Sequence, residues 1–256
     1  MKLMCNKFNY IVLVCFLISA LCCSKKLVKD QAPDNIGGVC ISFDDYSIDN
    51  WYKYLPLLDQ YNAKVTFYVS NFNNLTLSQI EKLRAIQSRG HEIGFHTTTH
   101  PNLKALSQKV LMDTLVAREI TKGIDQMQSK GFYPQTFAYP YGIHTPTLDA
   151  TLLNVFKSVR CLNGSSNILK SYGQVNGVNA VTYSVGMDIG SHRALEFFDE
   201  HLQNTANFNK VFFMNGHNIE VPNSKIQIPL GKFTSILQLI KKFNLKYYTA
   251  SQVAGR

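Results

Sequence analysis

From residue 39 onward, short apolar runs alternate with helical stripes, and this alternation limits the fold more than any other feature of the chain. Residues 39–43 read as a buried strand, and Trp51, Tyr54, Leu55 and Leu58 then recur at helical spacing. Residues 65–69 are β-branched and aromatic, and Leu77, Ile80, Leu83 and Ile86 follow on a helix that stops at Gly90. Residues 91–95 predict a third strand. Val116, Ile120, Ile124 and Met127 give the stripe of a long helix ending at Gly131, and a strand begins at 136–138. Later come a helix with Leu195, Phe198 and Leu202, a strand at 211–214, a helix with Ile236, Leu239, Ile240 and Phe243, and a closing strand at 246–248. Strand and helix in turn within one domain imply a parallel sheet, either doubly wound or closed into a barrel.

The polar residues favour the barrel. Asp44 and Asp45, His96 and His100, residues 139–142 and His217 all fall just past the C-terminal ends of predicted strands, where barrel sites are built. Two adjacent carboxylates at a strand end point in different directions, so one can hold a metal while the other moves a proton. Two histidines four apart on a turn or tight loop can share one face, and with one carboxylate they make a three-ligand site with room for water. That is hydrolytic equipment. An Asp-Asp pair alone is more often a turn or helix cap, and a His-x-x-x-His alone is more often structural. Their order at successive strand ends, with His217 downstream, gives the site reading its weight.

The first residues read as an export leader. Lys2 and Lys7 form a positive n-region, and residues 11–21 are an apolar stretch too short for a comfortable membrane span. Cys22 and Cys23 close that stretch before polar Ser24, Lys25 and Lys26, in the manner of a bacterial lipoprotein cleavage box, although Leu21 stands where a small residue is usual. The expectation is a leader at 1–22, a linker at 23–38, one domain at 39–256, and lipid attachment at Cys22 or Cys23 in the cell envelope. The alternatives are plain secretion after cleavage near Cys22, including a periplasmic location, and an uncleaved anchor. Of six cysteines only Cys40 and Cys161 remain in the domain, each in a strand-like run, so buried thiols compete with a bridge. Without residues 1–22 the chain keeps 24 basic against 17 acidic residues, a net +7 that suits an anionic envelope. There is no dense Lys/Arg run, which argues against nucleic acid as a partner.

Residues 42–45 (SFDD), 96–101 (HTTTHP), 137–142 (FAYPYG) and 212–217 (FFMNGH) resemble the ordered motifs of the polysaccharide deacetylases, carbohydrate esterase family 4. The resemblance runs from about residue 39 to 253, with residues 66–69 at the expected strand between the first two motifs. It implies an α/β fold, a single-domain distorted (β/α)7–8 barrel with its site at the C-terminal strand ends. It also implies metal-dependent removal of N-acetyl groups from N-acetylhexosamine polymers.

Carried over by residue, Asp45, His96 and His100 are the implied metal ligands and Asp44 the catalytic base. One carboxylate and two imidazoles suit Zn2+, and accept Co2+, Ni2+ or Mn2+. The backbone N–H of Tyr141 is the implied oxyanion donor, and His217 the proton donor to the departing amine. Asp188, in the best placement of a faint fourth motif (183–188), is a candidate to orient His217. Many family members carry an arginine where this chain has Ala138, which leaves Asp44 expected to lack its charge partner and motivates a non-catalytic carbohydrate-binding alternative. A zinc peptidase is disfavoured because residues 97–99 lack the glutamate such helices use as base. Tyr46 and Trp51 are both placed to stack on a sugar, with Trp51 equally suited to a core stripe. His91, His144, His192 and His201 are read as structural, with His144 near enough to the Tyr-Gly loop to line the cleft.

Overall fold

The computed structural model describes residues 37–164, 167–175 and 180–255; the expected leader lies outside these residues. Seven strands form the frame: β1 (Gly38–Asp45), β2 (Thr66–Val69), β3 (Glu92–Phe95), β4 (Thr136–Ala138), β5 (Ser158–Leu162), β6 (Val181–Gly186) and β7 (Val211–Gly216). Each pairs in parallel with the next, and β7 pairs back onto β1 with Phe43 opposite Gly216, so the sheet closes into a barrel. The helices are α1 (Ile48–Lys53), α2 (Leu55–Gln60), α3 (Leu77–Ser88), α4 (Leu103–Ser107), α5 (Met112–Val116), α6 (Lys122–Gln128), α7 (Pro146–Leu152), α8 (Leu195–Phe208), α9 (Leu230–Lys242) and α10 (Ala250–Ala254).

Two-residue periodicity decides which side chains face inward. In β1, Val39, Ile41 and Phe43 join the large apolar layer under the helices, while Cys40 belongs to the smaller cluster inside the barrel. The same alternation turns Asp44 inward. Inside, Tyr68 fills space that only a glycine across from it can leave, because a Cβ on Gly94 would stand 2.5 Å from the Tyr68 ring. At the strand starts, Glu92 accepts from Thr66, Thr136 and the N–H of Ser251, which anchors α10 beneath the barrel. Fully buried rings such as Phe43, Phe67, Phe95 and Phe137 each contribute roughly 1.5–3 kcal/mol through burial.

The structure corrects the sequence reading in three places. The closing strand expected at 246–248 is a short piece, Lys246–Tyr247, that pairs with the start of β1, and the ring is closed by β7 instead. Between β5 and β6 the described residues hold only a 3-10 turn (Ile168–Ser171) and a short strand (Tyr172–Gly173), so the strict alternation lapses there. The long helix expected up to Gly131 is broken by a π turn at Ala117–Thr121, where the N–H of Lys122 bonds the carbonyl of Ala117, five residues back. Cys40 and Cys161 are free, buried thiols, and burial pushes both far above the usual thiol range.

Candidate active site

Asp45 ends β1 with φ 87°, a left-handed conformation that costs an aspartate about 1–3 kcal/mol and bends its carboxyl away from the inward path of Asp44. It meets His96, just past β3, and His100, at the end of the following loop. Their Nε2 atoms stand 3.6 and 3.2 Å from Asp45 Oδ1. That oxygen is buried and, at this alignment, receives no hydrogen bond. His96 Nδ1 donates to the carbonyl of Ala138 at 2.7 Å, which leaves Nε2 as the nitrogen free to ligate. Burial opposes charge on Asp45, yet the facing imidazoles, His100 ahead of His96, hold its carboxyl well below the usual range. An orphaned carboxylate oxygen between two oriented imidazole nitrogens fits a divalent cation.

Asp44 is not without a charge partner. Arg160 on β5 makes a buried ion pair with its Oδ1, both residues being 3 % exposed, and Asn215 on β7 lies 3.5 Å from Oδ2. The expected loss at Ala138 is therefore made good from the next strand. Ala138 and Arg160 are register partners across β4 and β5, so a guanidinium from either position enters the same part of the barrel. Ser184 donates to Asn215 Oδ1 at 2.9 Å and so orients the amide. Arg160 was missed in the sequence; its signal is a lone arginine at an inward position of an apolar strand.

His217 follows β7. Asp188 takes both its backbone N–H, at 3.2 Å, and its Nδ1, at 2.6 Å. Burial lowers the imidazole, but the Asp188 hydrogen bond and the charges of Asp44, Asp188 and Asp45 outweigh it and raise His217 to about 9. Trp51 is 1 % exposed and donates Nε1–H to the carbonyl of His217 at 2.7 Å, so its ring is core and not a sugar platform. Asn50 adds two bonds to Ile219, fixing the loop after His217.

Asp44, Asp45, His96, His100, Arg160 and His217 line one cavity of about 240 Å³, with Tyr139, Tyr141, Gly142, Leu162 and Ile226. Tyr141 sits at φ 61° and is exposed, and its ring stands edge-on to His100 at 4.9 Å. Tyr46, the residue after the Asp pair, is also exposed. His144 is outside this lining: its Nδ1 meets Asp149 at 2.8 Å, and Asp149 also accepts from Tyr139. Cys161 completes a second ligand-like cluster there, but its protonated thiol and the paired Asp149 suit packing better than metal binding. A larger groove of about 680 Å³ between residues 168–174 and α8 holds His201, which meets the Phe197 ring edge-on and bonds Tyr172; no group of metal ligands among the described residues converges there.

The polysaccharide deacetylase family model matches residues 31–158, half of the chain. A peptidoglycan-N-acetylglucosamine deacetylase of Bacillus cereus is 31 % identical over 113 residues, 44 % of this chain and 39 % of that protein. A chitin deacetylase of Colletotrichum lindemuthianum is 30 % identical over 109 residues, 41 % of this chain and 42 % of its own length. The matched stretch thus spans about two fifths of these relatives. Among solved structures, a family 4 carbohydrate esterase from Streptomyces lividans in complex with acetate superposes with a TM-score of 0.58 at 16 % identity, covering 84 % of this chain and 94 % of the other. The Colletotrichum lindemuthianum chitin deacetylase gives 0.58 at 17 % identity over 83 % and 85 %. These likenesses extend the shared fold over more of the chain than the family model matches. On the matched residues, the chain belongs to the polysaccharide deacetylase family.

Proposed function

We propose that the protein is a metal-dependent hydrolase that removes N-acetyl groups from an N-acetylhexosamine polysaccharide of the cell envelope or extracellular space. The observation that carries this reading is the donor-less buried oxygen of Asp45 facing His96 and His100, with the Arg160-paired carboxylate of Asp44 beside it. Asp45, His96 and His100 would hold one divalent ion, zinc being the first choice, with Co2+, Ni2+ or Mn2+ also compatible with the ligands. Such an ion polarises an acyl oxygen and acidifies water. Asp44 takes the proton of the attacking water, held in place by Arg160 and Asn215. His217, kept protonated by Asp188, delivers a proton to the departing amine. The backbone N–H of Tyr141 is the proposed donor to the developing oxyanion.

The exposed rings of Tyr46 and Tyr141 offer apolar faces to neighbouring sugars. Relatives named for peptidoglycan and chitin support an N-acetylated glycan as the substrate class. A non-catalytic binding role loses its main motive once Arg160 replaces the missing arginine. The leader, through Cys22 or Cys23, is proposed to anchor the chain by lipid. Exchange of both cysteines for serine should then release the protein from the detergent phase, and unchanged partitioning would count against the anchor.

The deciding experiment is acetate release from peptidoglycan fragments, chitin oligomers and poly-N-acetylglucosamine by the Zn2+-loaded protein. Asp44→Asn should lower release by about 10²- to 10⁴-fold while one metal per chain is retained. A wild-type protein that holds metal and releases no acetate from any of them would be a binder, not an enzyme.

A further inference from the structure

The loop that carries both histidine ligands is strained. Thr97 has φ 69° and His100 φ 60°, and a β-branched residue in the left-handed region is held there only by its surroundings. Within the loop, Thr97 Oγ1 accepts from the N–H of His100 at 3.0 Å. His96 is tied to Val69 and Ala138 at the start of the loop, and the hydrogen bonds to Thr98 and Thr99 come from one residue on a distant element.

That residue is Glu119, in the π turn between α5 and α6, 2 % exposed despite its charge type. Its carboxyl accepts from the N–H of Thr99 at 3.0 Å, and the hydroxyl of Thr99 donates to the same group. Its backbone carbonyl accepts from both the N–H and the hydroxyl of Thr98, at 3.0 and 3.1 Å. Main chain and side chain of one residue therefore hold two consecutive loop residues between His96 and His100. The approach is close: a Cβ on Gly123, one turn on, would stand 2.6 Å from Thr98 Oγ1 and 2.5 Å from the Phe95 ring. Wide π turns recur where a helix must present backbone or side chain to a site. A carboxyl buried this deeply is costly unless its donors are fixed, so Glu119 and the loop constrain each other.

We infer that Glu119 is a positioning residue for the metal site, holding the strained 96–100 loop so that the two imidazoles face Asp45. The inference rests on the metal reading of Asp45, His96 and His100 given above. Groups that orient ligands from behind typically change metal affinity by about 10- to 100-fold when lost.

The test is Zn2+ affinity by chelator competition, together with the visible absorption of the Co2+-loaded protein, for wild type, Glu119→Ala, Glu119→Gln and Thr99→Val. Glu119→Ala should bind Zn2+ about 10- to 100-fold more weakly and alter the Co2+ bands. Glu119→Gln, which keeps an acceptor for the Thr99 N–H, should recover most of the affinity and the wild-type bands. Thr99→Val removes one bond from the loop side and should weaken binding by less; it decides the matter should Glu119→Ala fail to fold. Wild-type affinity and bands in folded Glu119→Ala, or in Thr99→Val where the alanine variant is unfolded, overturn the inference alone. A wild-type protein that takes up no Zn2+ overturns the metal reading, and the inference falls with it.

Discussion

Arg160 and Asp44 are 116 residues apart and form a buried ion pair at the mouth of the barrel, with Ala138 directly beside Arg160 on the neighbouring strand. The pair is sealed from solvent on one side by Tyr68, whose ring lies 5.4 Å from the guanidinium. A buried carboxylate stripped of the guanidinium paired with it is strongly disfavoured, by about 3–5 kcal/mol.

Arg160→Ala should therefore both lower stability and reduce acetate release, the latter by about 10²-fold through misplacement of Asp44. Because positions 138 and 160 are register partners, the double variant Ala138→Arg/Arg160→Ala should recover part of the rate. Comparing kcat of the single and double variants checks this; no recovery in a folded double variant would show that the two positions are not equivalent.

His217 is useful as an acid only while protonated, so activity should be present below its pKa and fall above it. Asp188 is the main group that raises it against burial, to about 9. Asp188→Asn should move the basic limb of kcat/KM down by about 1 pH unit or more. His217→Ala should impair an acetamide substrate far more than an aryl acetate, whose phenolate leaves without a proton. Equal losses on both would remove His217 from the mechanism.

His91 is buried neutral, its Nδ1 accepting the N–H of Val65 at 3.2 Å, and burial, with Lys64 and Arg89, lowers it from 6.5 to about 4 despite Asp59. The unfolded chain binds this proton first as pH falls, so the contribution is complete above pH 6.5 and lost progressively toward pH 4, up to about 3 kcal/mol. Thermal unfolding of His91→Asn between those pH values should show a flatter dependence than wild type. Parallel curves for the two proteins would assign the acid sensitivity elsewhere.

Gly142 has φ 66°, and a Cβ there would stand 2.3 Å from Leu162 Cγ and 2.5 Å from the Leu162 backbone nitrogen. Gly142→Ala should cost about 1–3 kcal/mol and displace Tyr141 next to it. Unchanged melting temperature and unchanged KM would contradict that.

Local chemistry made much of this protein legible from its residues. Apolar runs of four to eight residues, separated by helical stripes, require a parallel sheet, and polar residues beyond the strand ends mark the mouth of a barrel. Asp44, Asp45, His96, His100 and His217 are visible because each sits at such an end, and the structure gathers all five around one cavity. Asp188 was the faintest of the site residues in the sequence, yet two hydrogen bonds tie it to His217.

What the chain order could not reveal depends on register and on contact between elements far apart in sequence. Whether Arg160 reaches Asp44 turns on strand register, since a slip by one residue would send its side chain to the helical layer. Trp51 fits a helical stripe and a sugar platform equally well by spacing, and only the position of α1 against the 217–219 loop makes it core. Glu119 looks like one polar residue on a helix. It becomes part of the site because a π turn brings it against a loop twenty residues earlier, and backbone geometry of that kind is set by tertiary packing and not by local propensity.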